Sequence, residues 1–165
     1  MMTAVNPIFI DFEASSLDLI ASYPIEVGIC MPNGDTHSWL IKPHVLWKDW
    51  SGKAAKIHGI SRDELEKNGQ DCDQVAQELN ELLGDHFVYC DAWTFDSFWL
   101  HRLFKASGIK HSFQIESISA LLDADQVSKW QDVHNQAIND MDLLRHRASN
   151  DALILHETFK RLIQS

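Results

Sequence analysis

The run Ile8-Phe9-Ile10-Asp11-Phe12-Glu13 constrains this chain more than any other segment. It sets two carboxylates two positions apart inside an otherwise apolar stretch with strand propensity. On a strand, alternate side chains share a face, so Asp11 and Glu13 stand side by side while Phe12 points the other way. Carboxylates held together repel and desolvate one another, a cost that a shared cation removes. Taken alone, the same pattern also describes a strand end that meets solvent.

A second β-prone run, Ile25 to Cys30, precedes the turn Pro32-Asn33-Gly34-Asp35, and Thr36 to Ile41 is expected as the returning strand of a hairpin. After Pro43 comes an irregular stretch with Trp47 and Trp50. Ser61, with Glu64 three residues on, has the form of a helix start, and Val75, Leu79, Leu82 and Leu83 make the apolar stripe of a helix ending at Gly84. Phe87 to Cys90 is a further strand. Thr94 is placed to cap a helix that carries Phe95, Phe98, Trp99, Leu103 and Ala106 on one face before Gly108. The last quarter, with Leu143, Leu144, Ala148, Leu155, Phe159 and Leu162, reads as largely helical. Strands come first and then alternate with helices, which predicts an α/β sheet covered by helices.

The length of 165 residues and an apolar fraction of 45% suit one domain spanning 1–165. The start carries no basic segment, and Asp11 interrupts the apolar run that follows, so neither a signal peptide nor a membrane span is expected and the location is read as cytoplasmic. Cys30, Cys72 and Cys90 lack the paired spacing of a zinc site or a disulfide framework. A formal charge of −10 argues against broad adhesion to duplex DNA, so contacts with nucleic acid should be local. Two divalent cations at an acidic site would offset part of that charge.

Two further acids and a histidine bear on the same chemistry. Asp96 follows the expected Thr94 cap, where a helix dipole favours an acid without any further role. Asp151 has the same explanation if Ser149 or Asn150 caps the last helix. His146 lies five positions earlier. On one continuous helix the two would be about 140° apart, so joint action requires His146 on the turn that leads into the helix.

Taken together, Phe9-Ile10-Asp11-Phe12-Glu13, Ile57-His58-Gly59-Ile60-Ser61, Phe95-Asp96 and His146-Arg147-Ala148-Ser149-Asn150-Asp151-Ala152 resemble the DEDDh family of 3′→5′ exonucleases, with Pro24-Ile25-Glu26-Val27-Gly28 similar to its second strand. The resemblance implies one exonuclease domain over 1–165 with an RNase H-like mixed β-sheet of about five strands, the first three antiparallel, flanked by helices. It implies that Asp11, Glu13, Asp96 and Asp151 hold two Mg²⁺ or Mn²⁺ ions and that His146 is the general base, a role suited to an imidazole near neutrality. Hard oxygen donors select such cations.

Substrate contacts are expected from Ala14, Ser16, Leu17, His58 and Phe95. Leu17 serves either as a wedge against the terminal nucleotide or as ordinary loop packing, and His58 either lines the pocket or belongs to a simple turn. Trp47, Trp50, Lys48 and Lys53 read either as a single-strand groove or, preferably, as the edge of a core. One departure is plain: Asp91-Ala92 stands where the family often has His-Asn, which leaves the substrate contacts of that segment open.

The implied partners are nucleic-acid 3′ ends, single-stranded or short, with a homodimer and a polymerase or repair partner as further possibilities and no membrane. The competing readings are an RNase H-like endonuclease and a catalytically degenerate nucleic-acid-binding or polymerase-associated module. Gly-x-Ser-x-Gly, Cys-x-x-Cys and His-Glu-x-x-His are all missing, which removes the common serine, cysteine and zinc hydrolases.

Overall fold

A computed structural model of the protein describes residues 6–164; residues 1–5, on which part of the reading of an absent signal peptide rests, lie outside them. Among the described residues, five strands form one mixed sheet: β1 (Ile8–Ala14), β2 (Pro24–Cys30), β3 (Thr36–Leu40), β4 (Phe87–Cys90) and β5 (Gln114–Ser117), in the order β3-β2-β1-β4-β5. β1, β2 and β3 pair antiparallel, whereas β4 runs parallel to β1 and β5 to β4. The helices are α1 (Gly52–His58), α2 (Arg62–Asn68), α3 (Cys72–Leu83), α4 (Trp93–Ser107), α5 (Ala124–Met141) and α6 (Ala148–Gln164). The expected mixed sheet with its first three strands antiparallel is present. None of these helices is long and apolar enough to cross a membrane.

Local chemistry explains most of these elements. The β2–β3 hairpin turns at Gly34, whose φ of 93° suits glycine, and Met31 and Asp35 close the turn with a backbone bond of 2.8 Å. The Ser61 hydroxyl accepts from the Glu64 N–H and starts α2. Alternation along β1 then divides the interior. Ile8, Ile10 and Phe12 pack with Val75, Leu79, Leu103 and Phe104 on one side of the sheet, while Phe9 joins Cys30, Ala152, Leu155 and Phe159 on the other. Each such large side chain, fully buried, contributes roughly 1.5–3 kcal/mol. By the same alternation, Asp11 and Glu13 continue the side of Phe9, the side that α6 covers.

Two expected caps differ from the structure. α4 begins at Trp93 with Ala92 before it and no side-chain cap, so Thr94 lies inside the first turn. The Asp96 N–H donates to the Ala92 carbonyl at 2.9 Å and closes the first turn. α6 begins at Ala148, ahead of Ser149 and Asn150. Its first N–H, on Ala148, donates to Glu26 Oε1 at 2.8 Å, so the capping carboxylate comes from β2. Asn150 instead donates to the Leu144 carbonyl at 2.9 Å.

The contact between β2 and α6 is made backbone to backbone. Arg147 holds both oxygens of the buried Glu26 at 2.8–3.2 Å. Two residues along the strand, a Cβ placed on Gly28 would lie 2.3 Å from the Ala148 carbonyl carbon and 2.4 Å from the Ser149 nitrogen. Gly28→Ala should therefore destabilise by about 1–3 kcal/mol or more, because neither backbone can yield without moving α6. Gly52→Ala, with nothing within 4 Å, is the matched control and should be near neutral. Urea unfolding of the two variants checks this; equal midpoints would show that α6 is free to shift.

Candidate active site

The sheet and two helix starts bring the sequence-distant acids together in two groups. Asp11, Asp91 and Asp96 each offer a carboxylate oxygen within 4.8 Å of the others, and Glu13, His146 and Asp151 do the same with two carboxylates and an imidazole nitrogen. Asp11 and Glu13 supply the shared strand. Asp91 follows the last residue of β4, Asp96 lies in the first turn of α4, and Asp151 in the first turn of α6. His146 stands before α6 with φ at 64°, on the lead-in turn that joint action with Asp151 requires. Its backbone N–H donates to Asp151 Oδ1 at 3.2 Å, and Arg145 Nε donates to the same oxygen at 3.0 Å.

The expected substrate residues lie at the end of β1 (Ala14), in the loop that follows it (Ser16, Leu17), at the end of α1 (His58) and in the first turn of α4 (Phe95). Ala14 and Ser15 are buried; the Ser15 and Ser16 hydroxyls donate to Asp49 Oδ2 at 2.8 and 2.7 Å. The loop root is thus pinned while side chains at its tip are exposed: Leu17 is 71% exposed and Ile20 85%. Phe95 is half-buried and packs on Trp99. His58 is buried, with Nδ1 accepting from the Ile60 N–H, Nε2 without a partner and its ring edge-on to Trp50. Trp47 is buried and stacked on Tyr23 at 5.2 Å, which agrees with the core-edge reading of that segment. A concavity of about 580 Å³ is lined by Lys42, His44, Lys48 and Arg62 among others and includes none of the clustered acids.

Sequence reasoning passed over three participants. Asp91 was visible only as a departure from a motif. Glu26 and Arg147 position α6 through a contact that no local pattern signals.

An exonuclease family model of the RNase T type matches residues 8–159, a span that contains every clustered acid and His146. The chain belongs to this exonuclease family. No curated protein matches it in sequence. Among solved structures, it is similar to exonuclease I (TM-score 0.70, 14% identity, 98% of this chain and 43% of that one). It is also similar to the zinc-bound E. coli exonuclease I complex with single-stranded DNA (0.69, 12%, 98% and 42%) and to exonuclease I of Methylocaldum szegediense (0.58, 14%, 78% and 30%). The chain spans less than half the length of these proteins.

In this member of the family the acids are electrostatically frustrated without a cation. Burial, followed by the charges of Asp96, Glu13, Asp151 and Asp91, holds the Asp11 carboxyl well above its usual range. Burial and the neighbouring Asp151, with a further contribution from Glu26, push Glu13 up to about 8. Burial and Asp91 raise Asp96 well above normal despite hydrogen bonds from Cys90, Ala92 and Phe12. Asp11 Oδ2 and Asp96 Oδ2 are buried with no partner. Oxygen donors that are buried, unpartnered and mutually repelling are suited to a hard divalent cation.

A measurable pH dependence follows. A carboxyl whose pKa rises on folding favours the native state fully below its unfolded value, and that advantage is lost as pH rises through the folded value. For Glu13 the interval runs from about 4.5 to about 8. The melting temperature of the metal-free protein should fall across this window, and Glu13→Gln should flatten the fall. Calorimetric melts of both proteins in EDTA test it; parallel pH profiles would show that Glu13 ionises freely.

Proposed function

We propose that the chain is a metal-dependent 3′→5′ exonuclease that hydrolyses terminal phosphodiester bonds of single-stranded or short nucleic acid, with two Mg²⁺ or Mn²⁺ ions per site. The observation that carries this reading is the pair of adjoining oxygen-rich groups on β1, one around Asp11 and Asp96 and the other around Glu13 and Asp151. When bound, two divalent ions supply the positive charge that an in-line displacement needs at its attacking and departing oxygens. The four acids hold that charge in place, and Arg145 keeps Asp151 oriented through the bond at 3.0 Å.

His146 takes the proton of the attacking water. Its place on the lead-in turn lets the imidazole reach the same group as Glu13 and Asp151. Ala14 and Ser16 form the floor for the terminal nucleotide, Leu17 is the wedge against its base, and Phe95 and His58 border the pocket. The pinned loop root and exposed tip support this division of labour. Single-stranded DNA is the proposed substrate class, since E. coli exonuclease I is known in complex with such oligonucleotides and a formal charge of −10 disfavours broad contact with a duplex.

The test is digestion of 5′-labelled and internally labelled oligonucleotides. With Mg²⁺, the 5′ label should move down a ladder of products shortened stepwise from the 3′ end, and EDTA should stop the reaction. Long internal fragments would instead identify an endonuclease. Asp11→Asn and Asp96→Asn should abolish turnover while leaving the metal-free melting temperature equal or higher, because each removes a repelled charge. His146→Ala should lower the single-turnover rate about 10²–10⁴-fold with Mn²⁺ binding near native, whereas Asp151→Asn should lose both. Native turnover in His146→Ala would place the base elsewhere.

A further inference from the structure

We propose that Asp91 is a fifth carboxylate of the metal centre, ligating the ion held between Asp11 and Asp96. The proposal rests on the metal-dependent reading above and adds to it a ligand at the position where the family often carries histidine.

The placement follows from topology. β1 and β4 are neighbouring parallel strands, so their C-terminal ends open at the same edge of the sheet. Asp11 and Glu13 sit toward that end of β1, Asp91 directly follows β4, and α4 begins two residues later with Asp96 in its first turn. Three elements thus deliver three carboxylate oxygens to within 4.8 Å of one another. Asp96 is only 2% exposed, and its Oδ2, like Asp11 Oδ2, has no hydrogen-bond partner. Unpartnered carboxylate oxygens at this depth are stable as anions only beside a cation.

The surroundings of Asp91 supply no other cation of fixed charge. Among the described residues no lysine or arginine forms an ion pair with it; the positively chargeable group facing it is His134 on α5. A neutral histidine at this position would leave the centre with four negative charges, whereas aspartate adds a fifth, along with a hard oxygen donor. The centre should therefore retain its ion more tightly, before any substrate phosphate contributes a ligand.

The experiment uses the full chain without nucleic acid. Mn²⁺ is titrated calorimetrically into native protein, Asp91→Asn, Asp91→Glu and Asp96→Asn, with melting temperatures recorded with and without the ion. Asp91→Asn should weaken Mn²⁺ binding roughly tenfold or more and shrink the metal-induced gain in melting temperature, while its metal-free melt stays equal or rises. Asp91→Glu should recover part of the affinity. Native Mn²⁺ affinity in Asp91→Asn, beside clear loss in Asp96→Asn, would overturn the proposal and leave the four-acid centre standing. Failure of native protein to take up Mn²⁺ would overturn both.

Discussion

Everything at the site depends on the seat of α6 on β2. The Glu26 carboxylate receives Arg147 and the first N–H of the helix, and Gly28 lets the two backbones meet with no side chain between them. Gly28 is also the register partner of Asp11, and Glu26 that of Glu13. The strand that carries two of the acids and the helix that carries Asp151 are therefore located by the same two residues of β2. Breaking a buried, hydrogen-bonded ion pair by removing one partner is costly, because the remaining charge is left uncompensated, and Glu26 is almost fully buried. The clamp thus fixes a distance as well as adding stability.

Against that rigid frame the acids are held where they disfavour one another. Asp11, Glu13 and Asp96 resist ionisation because the fold buries them together, with Asp91 and Asp151 adding to the repulsion. The apolar side chains on the same strand compensate: Ile8, Phe9, Ile10 and Phe12 are all buried and anchor β1 from both sides. A strand secured by its neighbours can carry groups that would otherwise push it out of the sheet. Strain of this kind is characteristic of ligand sites, where the bound species completes the electrostatics.

How much of this was legible in the chain depended on the range of the cause. Asp11 and Glu13 were readable as a pair because the strand period is two, and Ser61 as a helix start because its bond to Glu64 is local. The lead-in position of His146 followed from the helical angle once the resemblance required joint action with Asp151. Glu26 was not readable as a cap, since its partner lies 122 residues away in sequence. Thr94 has the right chemistry for a cap, but α4 already begins at Trp93, with no side-chain cap. β5, with four residues and none buried, lacks the apolar periodicity that would have located it, whereas α5 falls within the last quarter that reads as helical, with Val127, Trp130, Ala137 and Met141 at helical spacing. The grouping of Asp91 with Asp11 and Asp96 depends on two parallel strands ending together, which only the assembled sheet reveals.

The joint between α5 and α6 differs in kind from the elements around it. Asp142 and His146, at φ of 48° and 64°, bracket a short connection whose backbone is set by its own turns rather than by the sheet. Asp11, Glu13, Asp96 and Asp151 descend from strands and helices that cannot shift without disturbing the core. The imidazole hangs from a connector, so the group facing Glu13 and Asp151 can be exchanged by a single replacement while the registers of the sheet and of α6 stay as they are. In evolutionary terms the histidine at this position is a detachable part. A lineage could replace it in one step and still inherit the sheet and the seat of α6.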